Sequence, residues 1–182
     1  GGFWYEAPDW KKHFVREIKE EGDYYYDFAN LPVDVDGDGW TDTVGAAWHN
    51  KMVYWVRNPG KAEGPWEVIE VDTPGNMETA MLVDMNGDGQ ADVLPNIMSQ
   101  AAWYEFHRDS SAEHGARWEK HQLPQEAAGH GLGAGDVNND GRCDVVTPKG
   151  WLEQMADGSW TWRPEFELGY ASIPILVYDI DG

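Results

Sequence analysis

Three nine-residue stretches place oxygen donors at the same offsets: Asp34-Val-Asp36-Gly-Asp38-Gly39-Trp40-Thr-Asp42, Asp84-Met-Asn86-Gly-Asp88-Gly89-Gln90-Ala-Asp92 and Asp136-Val-Asn138-Asn-Asp140-Gly141-Arg142-Cys-Asp144. Each reads D-x-[DN]-x-D-G-x-x-D. Side-chain oxygens at positions 1, 3, 5 and 9, with the backbone carbonyl at position 7, can wrap a hard cation, and calcium is the cation that takes such a set. The expected ligands are Asp34, Asp36, Asp38, Asp42 and the Trp40 carbonyl in the first stretch. Asp84, Asn86, Asp88, Asp92 and the Gln90 carbonyl follow in the second, and Asp136, Asn138, Asp140, Asp144 and the Arg142 carbonyl in the third. Glycine at position 6 permits the sharp turn that aims the oxygens inward. One acidic turn can arise by chance, but three copies predict about three Ca2+ per chain.

The elements that must hold these loops follow from their spacing. The first aspartates lie 50 and 52 residues apart, and Asp179-Ile-Asp181-Gly182 begins a further copy 43 residues after the third. A period near 50 predicts a propeller or solenoid rather than paired helices. Short β-prone runs leave the loops at Asp42-Thr-Val, Asp92-Val-Leu and Asp144-Val-Val-Thr. Aromatic strands come next, at residues 53–56, 103–106 and 151–153, then tryptophan-led strands at 66–69, 118–121 and 160–162. Phe3-Trp4-Tyr5-Glu6 and Trp10-Lys-Lys-His-Phe14-Val15 open the chain in the same pattern. With the strand that enters each loop, every repeat holds four short strands, the anatomy of a propeller blade. The expected class is all-β.

These loops and strands resemble the FG-GAP/VCBS-type repeat family. That resemblance implies calcium-binding β-propellers, mostly seven-bladed, of the kind that form the integrin α-subunit head. The Phe-Gly pair that names the family is missing before all three loops, and Gly45-Ala46-Ala47 only echoes Gly-Ala-Pro. The fold therefore carries over and adhesion does not. The Trp-Tyr-Glu wording and His130-Gly131-Leu-Gly133-Ala-Gly135-Asp136 look more like bacterial exported members. They are also similar to the propeller domains of sugar dehydratases and lyases. Dockerin loops recur at about half this period and precede helices. EF-hands need a bidentate glutamate at position 12, where this chain has Gly45, Pro95 and Thr147.

The repeats divide the chain into a partial blade at 1–33, repeats at 34–83, 84–135 and 136–178, and the start of another at 179–182. Propellers close with four to eight blades, and about three and a half of an expected seven are present. The chain then reads as a piece of a longer protein, or as half of a ring completed by another chain. Thirteen basic against thirty-three acidic residues give a formal charge of −20, and ten of the carboxylates sit in the three loops. Nothing here neutralises phosphates, so a nucleic-acid partner is not expected. No apolar run is long enough for a membrane span. Cys143, the single cysteine, offers no disulfide and reads as structural. Such loops are useful where calcium is millimolar, so extracellular or periplasmic localisation is expected.

Most of the eleven tryptophans recur in register and read as packing between blades; Trp48 has no counterpart and is a candidate for stacking on a sugar. Alignment on the first loop aspartate places Phe28, Glu78, His130 and Ile173 six residues upstream, at the start of the strand that enters each loop. The turns between second and third strands carry Trp48-His49-Asn50-Lys51, Asn96 to Gln100, and Pro148-Lys149. His49, Glu78, Asn96, His130 and Lys149 are thus expected near the mouth of the central channel, opposite the calcium face. Glu78 or His130 can act as a general base there, and Lys149 or His49 can hold a sugar carboxylate or an oxyanion. His49 and His130 can also share a second metal. The plain alternative is a polar rim. His107, His114 and His121 read as surface.

Two functions follow: a calcium-stabilised module of a larger exported protein that binds carbohydrate or protein, or the propeller domain of a sugar lyase or dehydratase. The sequence leaves open whether the chain is an enzyme.

Overall fold

Short runs of β-branched and aromatic residues, each closed by an acidic or glycine-rich turn, leave the chain little choice but antiparallel sheet. The computed structural model describes residues 1–61, 64–169 and 174–180. A hairpin of β1 (Gly2–Glu6) and β2 (Lys11–Arg16) comes first, followed by a small hairpin of β3 (Glu20–Glu21) and β4 (Tyr24–Tyr25). Three four-stranded antiparallel sheets follow in tandem. The first holds β5 (Ala29–Val33), β6 (Asp42–Ala46), β7 (Val53–Arg57) and β8 (Glu67–Asp72). The second holds β9 (Met77–Val83), β10 (Asp92–Ile97), β11 (Ala101–Arg108) and β12 (Ala116–Leu123). A 3-10 turn at Gln125–Ala127 leads to the third, with β13 (Gly133–Gly135), β14 (Asp144–Thr147), β15 (Gly150–Gln154) and β16 (Trp160–Arg163).

Strand order within each of the three sheets is sequential, so every sheet is a meander. The expected second, third and fourth strands all form. Each sheet nevertheless starts one strand before its acidic loop, because the loop is the hairpin connection between first and second strands. The 50-residue sequence period and the folded unit are therefore offset by a strand. The Glu20–Glu21/Tyr24–Tyr25 hairpin has no counterpart among the expected strands. Asp181 and Gly182, in the stub of the further repeat, lie outside the described residues, as does Ile173.

Apolar clusters lie between sheets rather than within one. Val44, Val53 and Trp55 of the first sheet pack with Met77, Val93, Ile97 and Tyr104 of the second. Leu94, Trp103 and Leu123 of the second pack with Val145 and Leu152 of the third. Tyr54, Val56 and Trp66 meet Trp4 and Val15 of the opening hairpin. β10 is buried along its whole length because neighbours cover both of its faces. This is face-to-face packing of consecutive sheets, as in adjoining propeller blades.

The tryptophans behave as register implies, with one exception. Trp55, Trp66, Trp103 and Trp151 are buried, whereas Trp10 is 70% exposed. Trp10 belongs to the turn before β2 and takes φ +54, so its side chain leaves the line of the strand.

Polar locks join the sheets beside these clusters. The Tyr104 hydroxyl donates to Asp72 Oδ2 at 2.7 Å, and Lys120 Nζ reaches the same oxygen at 2.8 Å. One junction earlier, the Tyr54 hydroxyl donates to Asp27 Oδ1 at 2.8 Å, and Arg16 contacts both groups. Tyr54 can cross its own sheet because Gly45 faces it: a β-carbon on Gly45 would come within 2.1 Å of the Tyr54 ring.

Candidate metal centres and the opposite end of the sheets

The three acidic loops fold alike because each organises its own backbone. The position-1 carboxylate accepts the position-6 N–H: Gly39 to Asp34 at 3.1 Å, Gly89 to Asp84 at 2.8 Å, and Gly141 to Asp136 at 2.8 Å. The position-3 oxygen accepts the position-5 N–H, and the position-5 oxygen accepts the position-7 N–H, in all three. Two residues per loop take positive φ. Position 6 is always glycine, and position 4 is Gly37 (φ +75), Gly87 (φ +78) or Asn139 (φ +64). Asparagine is the non-glycine residue best suited to that region.

Position 9 does something else besides offering an oxygen. Asp42, Asp92 and Asp144 are fully buried at the first residue of the second strand. Each accepts the N–H of its loop's position-2 residue: Val35 at 3.1 Å, Met85 at 2.8 Å, Val137 at 2.9 Å. Asp42 also accepts from Asn58 N–H at 2.7 Å, and Asp144 from Gln154 N–H at 2.9 Å. Burial raises all three pKa values. Asp92 goes to about 7, where the Met85 N–H opposes the rise and the charges of Glu105, Asp88 and Asp84 add to it.

In the first loop, one oxygen each from Asp34, Asp36 and Asp42 lies within 4.8 Å of the others. That all-oxygen set suits a hard divalent cation. A residue of the third strand reaches position 3 in every sheet, and its charge alternates with what it meets. Arg57 Nε donates to Asp36 Oδ2 at 2.6 Å, whereas Asn86 and Asn138 donate to Glu105 (3.2 Å) and Glu153 (3.0 Å). Arg108 of the second sheet also donates to the Asp34 carbonyl of the first loop at 3.2 Å.

Position 2 of the first and second loops reaches into the next sheet. Val35 belongs to the cluster between first and second sheets, and Met85 to that between second and third. Gln154 Nε2 of the third sheet donates to the Met85 carbonyl at 2.9 Å. Cys143 packs against the same methionine, Sγ to Sδ 3.9 Å, and burial pushes its thiol up to about 11.

The sheets' other ends gather the remaining candidates, since strand starts and second-to-third turns lie opposite the loops. Glu78 pairs with His130 Nε2. His130 and Lys149 line one cleft of about 800 Å³ with Gln125, Glu126, Thr147 and Trp162. Asn96 sits elsewhere in function: it is wholly buried, its Oδ1 accepts the Glu78 and Thr79 N–H groups at 2.8 Å, and its amide donates to the His130 carbonyl at 2.9 Å. It braces the strand that carries Glu78 and the turn that carries His130.

His49 stands apart from that cleft, among Tyr24, Tyr26 and Phe28; the Tyr26 ring stacks on it at 5.2 Å and 10°. Tyr24 and Phe28 are exposed, so this is an open aromatic platform. Trp48 is half-buried, and its carbonyl accepts Asn76 Nδ2 at 2.9 Å. The tryptophan most exposed beside a loop is Trp40 instead, at 53%. Sequence periodicity does not mark this platform, because two of its rings, Tyr24 and Tyr26, come from the β3–β4 hairpin region.

Among the described residues no helix is long and apolar enough to cross a membrane. Residues 34–94 match the sequence model of the FG-GAP-like repeat family. The matched stretch runs from the first loop through the second and into β10. No curated protein and no solved structure gives a significant match to the chain.

Proposed function

We propose that this chain is a calcium-binding β-propeller module of a larger exported protein, with a role in binding carbohydrate or protein. The observation that supports the calcium assignment is the congruence of three loops that share one hydrogen-bond scheme, the first of which brings oxygens of Asp34, Asp36 and Asp42 within 4.8 Å of one another. Residues 1–33, the repeats at 34–83, 84–135 and 136–178, and the stub at 179–182 then supply part of a ring, whose other blades come from the same or another chain. Export follows from the millimolar calcium that makes such loops useful outside the cytosol. The open ring cluster of Tyr24, Phe28 and His49 is the surface on which a sugar would stack.

Titration calorimetry on EDTA-stripped protein tests the metal assignment. About three calcium sites per chain are expected, with one lost in Asp84→Ala and none in Glu113→Ala. Equal effects of the two substitutions, or no calcium binding, would refute it.

A second reading has its own observation: the cleft that brings His130, paired with Glu78, near Lys149. A carboxylate–imidazole pair beside an ammonium suits proton abstraction next to a sugar carboxylate, as in a lyase or dehydratase. Glycan turnover by the protein that is unchanged in His130→Ala and Glu78→Ala would remove this reading and leave the binding module.

A further inference from the structure

The outer strands of the second sheet hold a different donor set. β11 and β12 pair without a break from Ala101 to Arg108, and Glu105 faces Glu119 directly. Alternation along the strands puts Trp103, Glu105 and His107 on one face beside Arg117, Glu119 and His121. Two carboxylates directly opposite each other destabilise a strand pair unless something positive lies between them. Here two imidazoles approach. His107 Nε2 lies 3.5 Å from Glu105 Oε1 and 3.7 Å from Glu119 Oε2. His121 Nε2 lies 2.9 Å from Glu105 Oε2 and 3.9 Å from Glu119 Oε1.

We propose that Glu105, His107 and Glu119 bind a divalent transition metal, Zn2+ foremost, with His121 as the positioning partner of Glu105. One donor atom from each of the three ligands lies within 4.8 Å of the others. Ligands at 2.0–2.1 Å around a tetrahedral ion stand about 3.4 Å apart, so the two His107 separations are already close to that edge. One nitrogen and two carboxylates favour a borderline ion; calcium requires six to eight oxygens.

The surroundings agree with a built site. Glu105 is largely buried, while His107, Glu119 and His121 are more open. His121 is held flat against Trp103, with ring centroids 4.0 Å apart and planes at 11°, so its contact with Glu105 is fixed from behind. Glu105 Oε1 also accepts Asn86 Nδ2 at 3.2 Å, which ties the site to the second acidic loop. A cleft of about 620 Å³ reaches Glu105 and His121 from one side. The set is particular to this sheet. Arg57 faces Glu67 in the first, Glu153 faces Thr161 in the third, and in the opening hairpin Glu6 faces Lys11. Differences among repeated positions are where a scaffold acquires a site.

Cobalt(II) is the probe, added to EDTA-stripped protein in millimolar calcium so that the acidic loops are occupied. One equivalent should give visible d–d absorption that Zn2+ then abolishes. Glu119→Gln and His107→Gln should each weaken cobalt binding at least about tenfold, and His121→Gln about tenfold with stoichiometry kept. His13→Gln, in the hairpin's similar Trp–His–Glu unit, should change nothing. Circular dichroism identifies any variant that has unfolded, and the exposed Glu119 position serves if His107→Gln does. No absorption, or binding indifferent to Glu119→Gln and His107→Gln in folded protein, overturns the site.

Discussion

At the scale of single residues, the loops separate two jobs that one motif letter conceals. Positions 1, 3 and 5 are exposed or half-buried, with the Asp36 carboxylate covered by Arg57, whereas position 9 is buried throughout and holds the loop to its sheet. Asp42→Ala would leave the Val35 and Asn58 N–H groups without their acceptor. It should cost about 1–3 kcal/mol even in EDTA, read as a shift in urea midpoint. A residue that served only as a calcium ligand would show its cost only with calcium present. Position 4 gives a second expectation. Asn139→Ala should lose about 1–2 kcal/mol because alanine resists φ +64, while Asn139→Gly should fall within about 0.5 kcal/mol of the parent. The pattern Gly37, Gly87, Asn139 was readable in the sequence, since those residue types share one backbone preference. The buried role of Asp42, Asp92 and Asp144 was not, because a nine-residue motif does not reveal which carboxylate the next strand covers.

At the scale of elements, strands were legible where tryptophans and β-branched residues recur in register. The β3–β4 hairpin was signalled only by Gly22-Asp23 between two-residue strands, too short for periodicity to mark. The metal set on β11 and β12 was illegible for a different reason: Glu105 and Glu119 meet only through hairpin register, which follows from a turn and not from composition. The locks between sheets lend themselves to measurement. Tyr104→Phe should cost about 1–2 kcal/mol, since it removes a donor to a half-buried carboxylate. Burial opposes ionisation of Asp72, but hydrogen bonds from Lys120 and Tyr104 outweigh it and hold its pKa below the ordinary carboxylate value. An acid with a lower pKa folded than unfolded adds stability above about pH 4, and that stability disappears as pH falls through the folded value. Lys120→Ala should therefore narrow the loss of stability seen in thermal melts between pH 5 and pH 3, with its effect fading at the acid end.

For the whole molecule, a formal charge of −20 and ten loop carboxylates predict that cations should stabilise the fold. Each calcium that binds only the folded chain adds RT ln(1 + [L]/Kd), about 2.7 kcal/mol at a hundredfold excess. Melting temperature should rise steeply with calcium. Molar sodium chloride should raise it modestly in EDTA, by screening carboxylates that otherwise repel. An equal rise with both salts would mean that general screening, not site binding, does the stabilising. The tandem sheets were legible as a period of about 50 residues, and the strand that enters each loop was legible as one strand of its sheet; the repeat boundaries drawn at the loop aspartates fall one strand after each sheet begins, because a repeat has no intrinsic starting point.

The insertion of Val35 and Met85 into the following sheet has a consequence for the protein's lifetime. If calcium holds the acidic loops, its removal should loosen the plug each presents to its neighbour, so the seams between sheets should yield before the sheets do. The connectors at residues 73–76 and 124–132 run along those seams. Brief digestion in EDTA should cut there first and release sheet-sized pieces, while calcium should protect both positions. Under calcium depletion, degradation of the chain should begin at its joints.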